Sequence, residues 1–179
     1  MDIKTIGKKI LDQTVRREVK DVEVYLLESR STTIEVKQQK IDAFVKAGSQ
    51  GVGLRIFRGK RMGFSYTSLS EDSDIHDLIE HAIASVTHTA EDPNNVLPSL
   101  EPVSVGDLHI HDPVLYKVTE EERISRAMAL EKAALETDPR IKVIRKAGYR
   151  DSEFTSYILN SRGALLTYQG TSCSASIML

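Results

Sequence analysis

The stretch Gly51–Thr67, GVGLRIFRGKRMGFSYT, decides how this chain is read. Val52, Leu54 and Ile56 alternate with Gly53 and Arg55, and Met62, Phe64 and Tyr66 alternate with Gly63 and Ser65, the period-two pattern of half-buried strands. Only Arg58-Gly59-Lys60 separates the two runs. A link that short joins antiparallel neighbours, because a parallel pair needs a much longer crossover. The basic side chains from Arg55 to Arg61 are read as turn residues that meet water, not as a nucleic-acid site.

The same alternation extends upstream through Val22, Val24 and Leu26, then Thr32, Ile34 and Val36, then Ile41, Ala43 and Val45. The polar break Glu28-Ser29-Arg30-Ser31 and the pair Gly48-Ser49 are read as turns between these runs. Before them, Ile3, Ile6, Ile10, Leu11 and Val15 form one helical stripe over about residues 3–17. Downstream, Ile75, Leu78, Ile79, Ala82, Ile83 and Val86 recur at three and four residues and predict an amphipathic helix that buries its stripe on the dry face of the sheet. Its start is marked by Ser68 or Ser70 as cap and by Glu71, Asp72 and Asp74, whose carboxylates suit the positive end of a helix dipole.

From Glu91 to Tyr116 the chain carries Pro93, Pro98, Pro102 and Pro113 with little periodicity, and reads as an irregular connector. Thr119 and Glu122 then form a capping box ahead of a third helix that carries Ile124, Ala127, Met128 and Leu135 and stops before Asp138-Pro139. Strand patterns return at Ile141, Val143 and Ala147, at Phe154, Ser156 and Ile158, and at Ala164, Leu166 and Tyr168, with Asn160-Ser161-Arg162-Gly163 as a hairpin turn. The expected fold class is α+β: an antiparallel β-meander packed by amphipathic helices over residues 1–90, a connector over 91–118, and the start of a second α+β unit over 119–179. The apolar run Ser176-Ile177-Met178-Leu179 suggests that this second unit is truncated and that the chain is the front part of a longer protein.

Composition bounds the function. With 179 residues, 40% hydrophobic and 28% charged, the chain can bury a core and is not a disordered segment. Its 24 Lys and Arg against 26 Asp and Glu leave a net charge of −2, so no overall positive field recruits a polyanion. One cysteine, Cys173, supports neither an internal disulfide nor a cysteine zinc cluster, and fits a reducing, cytoplasmic compartment. Neither a membrane span nor a signal peptide is visible.

The candidate chemical groups do not assemble into a motif. His76 and His81 are five residues apart, whereas two metal ligands on one helix face stand four apart, and Glu80 precedes the second histidine rather than following the first. His76 and Glu80 have the spacing of a surface pair. His109 and His111 would share one face of a strand with Asp112 nearby, but lack a third placed ligand, and His88 stands alone. Gly48, Gly51 and Gly53 lead into a strand where a dinucleotide loop would lead into a helix, so they read as a turn and as points of close approach. Ser65, Ser68 and Ser70 lack a nucleophile-elbow frame, and nothing around Cys173 signals a lowered pKa. The residues alone therefore assign no catalytic, cofactor-binding or metal-binding position.

The order of segments carries more. An opening helix, Val22-Glu23-Val24-Tyr25, the Gly51–Ile56 strand, Gly63-Phe64-Ser65-Tyr66-Thr67 ahead of an amphipathic helix, and Asn160-Ser161-Arg162-Gly163 together resemble the N-terminal part of the TldD/PmbA family over essentially the whole chain. The Asp138-Pro139-Arg140 entry into the later strands is closer to the PmbA (TldE) branch. The resemblance implies a cytoplasmic zinc metallopeptidase system in which TldD-like and PmbA-like subunits pair, as homo- or heterodimers, and cut peptides or unfolded protein. An older family label is modulator of DNA gyrase, which keeps open a regulatory binding module or a plain interaction domain. The family's His-Glu-x-x-x-His motif has no match here, so the resemblance implies no zinc ligand in this segment and leaves zinc to the full-length protein or its partner subunit. Neither direct nucleic-acid binding nor a membrane partner is expected.

Overall fold

The computed structural model describes residues 2–68, 73–98 and 108–179. In chain order these form α1 (Ile3–Val15), β1 (Asp21–Lys37), β2 (Lys40–Arg58), β3 (Arg61–Ser68), α2 (Ser73–Val86), a 3-10 turn (Pro113–Lys117), α3 (Glu120–Thr137), β4 (Lys146–Asn160) and β5 (Leu165–Met178). The five strands make one antiparallel sheet in the order β3-β2-β1-β4-β5, so the α+β expectation holds. The antiparallel hairpin expected over Gly51–Thr67 is present, with Leu54 opposite Ser65 and Ile56 opposite Gly63. Among the described residues no helix is long and apolar enough to cross a membrane.

Two of the expected turns are absent. Glu28-Ser29-Arg30-Ser31 lies inside β1 and Gly48-Ser49 lies inside β2, which makes these strands 17 and 19 residues long. Local polarity favoured a turn at both places, but a tight hairpin needs left-handed backbone, and among the described glycines only Gly59 and Gly163 adopt positive φ. The chain instead reverses between β1 and β2 at Gln38 and Gln39, whose φ angles are 54° and 55°. At the far end, the strand expected to begin at Ile141 begins at Lys146, and the closing run Ser176–Met178 continues β5.

Contacts group the described residues into two compact units, one within residues 1–28, 49–107 and 155–168, the other within 29–48, 108–154 and 169–179. Because β1, β2, β4 and β5 each contribute to both, the units are interleaved along the chain rather than consecutive.

In the first unit, Val22, Val24, Leu26, Val52, Leu54 and Ile56 turn one sheet face toward α1 and α2, which bring Ile3, Ile10, Ile75, Leu78, Ile79, Ala82 and Val86 into the same core. The stripe read on α2 is thus the buried one. On α1, Ile3 and Ile10 are buried, whereas Val15, the last member of its expected stripe, is exposed and its neighbour Thr14 turns inward to bond the Ile10 carbonyl at 2.7 Å. On β3 the larger apolar side chains face away from the helix: Phe64 and Tyr66 are exposed and stack with ring centres 6.0 Å apart, while Gly63 faces α2. A Cβ at Gly63 would lie 2.2 Å from the Ala82 carbonyl oxygen, so α2 approaches β3 closely only because this position has no side chain. Ser85 fastens the same contact by accepting the Phe64 amide at 2.9 Å. Of the α2 start signals, Asp74 stands in the first turn, and Ser70, Glu71 and Asp72 lie outside the described residues.

In the second unit, Ile34, Val36, Ala127 and Tyr149 are buried together, with Ile124 and Met128 packed against them. The capping box of α3 is complete: Thr119 Oγ1 accepts from the Glu122 amide at 3.2 Å, and Glu122 Oε2 accepts from the Thr119 amide at 2.9 Å. Leu135, expected on the buried side, is exposed, and the position that is buried near it is Glu131, at 1% exposure. Its carboxylate accepts from the amides of Gln38 and Gln39, each at 2.7 Å, and from the Gln39 side chain at 2.9 Å. A turn without glycine or asparagine is thereby held by a carboxylate from a helix, which also satisfies the buried charge.

Candidate functional site

A concavity with a volume of about 460 Å³ lies in the second unit. Neighbouring residues of β1 (Arg30, Ser31, Thr32), β2 (Lys46, Ala47, Gly48) and β4 (Asp151, Ser152, Glu153) form its floor, and Leu115 and Arg123 form its wall. The size suits a small molecule or a few residues of peptide. β1 and β2 can present these residues side by side only because both strands continue through the segments that composition marked as turns.

Charge in the cleft is paired. Arg123 bonds Asp151, Lys46 bonds Glu120, and Arg30 stands 3.9 Å from Glu153. The pairs differ in exposure. Arg123 and Asp151 have side chains only 14% and 5% exposed, while Arg30 is 72% exposed. Arg123 also donates to the Leu115 carbonyl at 3.3 Å, so it positions the wall; Arg30 and Lys46 remain at the mouth, where a ligand can compete for them. The lining sets Arg30, Lys46 and Arg123 against Asp151 and Glu153, with Glu120 pairing Lys46 from outside it, and such paired charge favours a segment of mixed charge and backbone amides over a polyanion.

Beneath Asp151 lies a polar network. Tyr149 donates to Asp151 Oδ2 at 3.2 Å, and its oxygen accepts from Arg126 at 3.3 Å and from Cys173 Sγ at 3.3 Å. Burial first, then the Cys173 bond and the negative charge of Asp151, push the Tyr149 phenol up to about 12, against which Arg126 pulls it down. Tyr149 is therefore neutral at physiological pH and serves as a bridge between two arms of the network. Ser152, the hydroxyl on the floor, shares its hydrogen bond with Ser172 at 2.8 Å rather than with a general base.

The sequence-derived candidates are scattered. His76 and Glu80 do not pair directly; both engage Arg17, which donates to His76 Nδ1 at 3.2 Å and forms an ion pair with Glu80. His81 and His88 are exposed on or just after α2. His109 and His111 do not alternate along a strand: residues 108–112 are irregular, His109 has a φ of 51°, and the Asp112 carboxylate caps the 3-10 turn by accepting the Val114 amide at 2.8 Å. Gly51 and Gly53 sit in the β2–β3 ladder, where a Cβ on Gly53 would come 3.3 Å from the Phe64 ring. Ser65 and Ser68 lie on β3, Ser70 lies outside the described residues, and Cys173 is exposed. Among the described residues no three of His, Cys, Asp and Glu converge as metal ligands, so the zinc implied by the resemblance has no fitting donor set there. The cleft itself, with Arg30, Lys46, Arg123 and Asp151, was not legible in sequence.

Two family models match the chain: PmbA/TldA metallopeptidase domain 1 over residues 22–86, and the PmbA/TldA metallopeptidase central domain over residues 113–179. The chain belongs to the PmbA/TldA metallopeptidase family. Solved structures share its fold. A candidate modulator of DNA gyrase from Bacteroides thetaiotaomicron is 24% identical, with a TM-score of 0.83 over 99% of this chain and 41% of its own. A candidate modulator of a DNA gyrase from Thermotoga maritima is 16% identical, with a TM-score of 0.77 over 97% of this chain and 38% of its own. TldE from Thermococcus kodakarensis is likewise 16% identical, with a TM-score of 0.77 over 95% of this chain and 38% of its own. The chain thus spans about two fifths of the length of these relatives. No curated protein matches it. The cleft residues from Leu115 to Glu153 fall within the central-domain match, and Arg30 and Lys46 within the domain 1 match.

Proposed function

We propose that this chain is the peptide-holding part of a cytoplasmic PmbA/TldA-type peptidase subunit, and that it contributes to substrate passage and subunit assembly without cutting the peptide itself. The observation that supports this reading is a cleft of paired, mixed charge in a chain of a metallopeptidase family. Arg30 and Lys46 exchange their intramolecular acids for carboxylates or carbonyls of an extended polypeptide, Glu153 and Glu120 receive its basic groups, and Ser31, Thr32 and Ser152 offer hydroxyls to its backbone. Zinc, when bound, would supply the activated water for hydrolysis from donors outside the described residues, in the full-length protein or in a TldD-like or PmbA-like partner subunit.

Fluorescence anisotropy with a labelled unfolded polypeptide of mixed charge tests this directly. The wild-type chain binds it and leaves it intact, with or without added zinc. Lys46→Glu and Arg30→Glu each weaken binding about tenfold, a loss of roughly 1.4 kcal/mol. Absence of binding, or cleavage by the isolated chain, contradicts the proposal.

A further inference from the structure

The floor of the cleft draws on one face of the sheet. Lys46 and Gly48 stand two apart on β2, Arg30 and Thr32 on β1, and Asp151 and Glu153 on β4, and residues two apart on a strand share a face. Of these positions only Gly48 has no side chain.

Glycine is unfavourable inside a strand, because it loses the most backbone freedom on folding and offers nothing to pack, and β2 is 19 residues long. Elsewhere among the described residues the fold explains such a choice. At Gly7, Gly63 and Gly170 a Cβ would lie 2.4, 2.2 and 2.6 Å from Leu26, the Ala82 carbonyl oxygen and the Phe154 ring, and Gly59 and Gly163 hold φ angles of 61° and 89°. Gly48 has neither reason. The atom nearest to its added Cβ is the Ser29 carbonyl oxygen at 3.8 Å, an ordinary van der Waals distance, and its φ lies outside the left-handed range. The same holds for Gly51, whose Cβ would lie 3.8 Å from the Thr67 carbonyl oxygen, but Gly51 does not line the cleft.

Where the fold asks for no glycine, a strand position without a side chain leaves room for another backbone to approach. We propose that the main chain of the bound polypeptide lies across Gly48, and that the missing side chain there sets how closely it can approach the floor. A ligand residue one strand repeat further along β2, about 6.6 Å away, then meets Lys46, and an acidic side chain pairs with it. The inference rests on peptide binding in the cleft and adds the residue that governs its fit.

Anisotropy titrations with the same labelled polypeptide, run beside urea unfolding, test it. Gly48→Ala leaves the unfolding midpoint unchanged or higher, because alanine restricts the unfolded chain more than glycine does and meets open space in the fold. It nonetheless weakens binding about threefold, and Gly48→Val about tenfold, since each added carbon holds the ligand off the floor. These ratios to wild type are the same at low salt and at about 1 M, where exposed charges are screened, whereas the loss caused by Lys46→Glu shrinks. Gly51→Ala binds as wild type does. A wild-type chain that binds no polypeptide overturns the cleft reading and this inference together. Wild-type binding that Gly48→Ala and Gly48→Val leave equally tight, or that Gly51→Ala weakens as much, overturns this inference alone. So does a lowered unfolding midpoint for Gly48→Ala, which assigns the glycine to the fold.

Discussion

The carboxylate of Glu131, in the fourth turn of α3, stands 2.7 Å from the backbone amide of Gln39, 92 residues earlier in the chain, and an equal distance from that of Gln38. This contact sets the reversal between β1 and β2, and with it the alignment of Arg30 with Lys46 across the cleft floor. Glu131→Gln replaces one acceptor oxygen with a donor facing an amide, and destabilises the chain by about 3 kcal/mol, as read by urea unfolding. Adding Gln38→Asn and Gln39→Gly to that variant recovers about 1 kcal/mol, because those residues adopt left-handed backbone at lower cost.

Gly63→Ala and Gly59→Ala separate close approach from backbone conformation. At Gly63 the added methyl meets the Ala82 carbonyl, so α2 must shift, at a cost of about 2–3 kcal/mol. At Gly59, with φ at 61° and nothing within 4 Å of the added atom, the cost is only that of the left-handed backbone, about 1 kcal/mol. Thermal unfolding of the two variants gives the ranking.

Alkaline unfolding reports on Tyr149. Its phenol titrates at about 12 in the folded chain against 10.0 for the ordinary group. Below pH 10 both states hold the proton and the contribution to stability is constant. Between about 10 and 12 the unfolded chain releases it first, so stability falls as pH rises. The Tyr149→Phe variant is less stable at neutral pH, having lost the bonds to Asp151, Arg126 and Cys173, and its stability declines less steeply across that window.

Arg123 and Asp151 form the most enclosed pair of the cleft. Arg123→Met leaves the Asp151 charge without its partner and destabilises the chain by about 3 kcal/mol. Adding Asp151→Leu restores most of that loss, since no unpaired charge then remains buried. Chemical unfolding of the two variants checks the order.

Much of the fold was legible because it rests on local signals. The stripe of α2, the capping box at Thr119 and Glu122, the tight link at Gly59 and the hairpin at Asn160–Gly163 each lie within a few residues of one another. What escaped was set at long range. Polar residues at Glu28–Ser31 stay in a strand because neighbouring strands pair with it, as the 3.1 Å bond from Gln50 to Glu28 illustrates. The facing of β3 depended on how closely α2 approaches Gly63, and periodicity alone favoured the larger alternates. The cleft draws Arg30, Lys46, Arg123 and Asp151 from four separate elements, at spacings that match no motif. Family resemblance was visible in the order of segments and the family matches agree with it, but no individual residue announced the site.

The central claim is that the cleft between Arg30, Lys46 and Asp151 holds an extended polypeptide. Amide chemical-shift mapping of the isotope-labelled chain, titrated with an unfolded peptide of mixed charge, addresses it most directly. The account predicts saturable shifts concentrated at Arg30–Thr32, Lys46–Gly48 and Asp151–Glu153, abolished by Lys46→Glu while the rest of the spectrum is retained. Shifts confined to other surfaces, or none at saturating peptide, would contradict it.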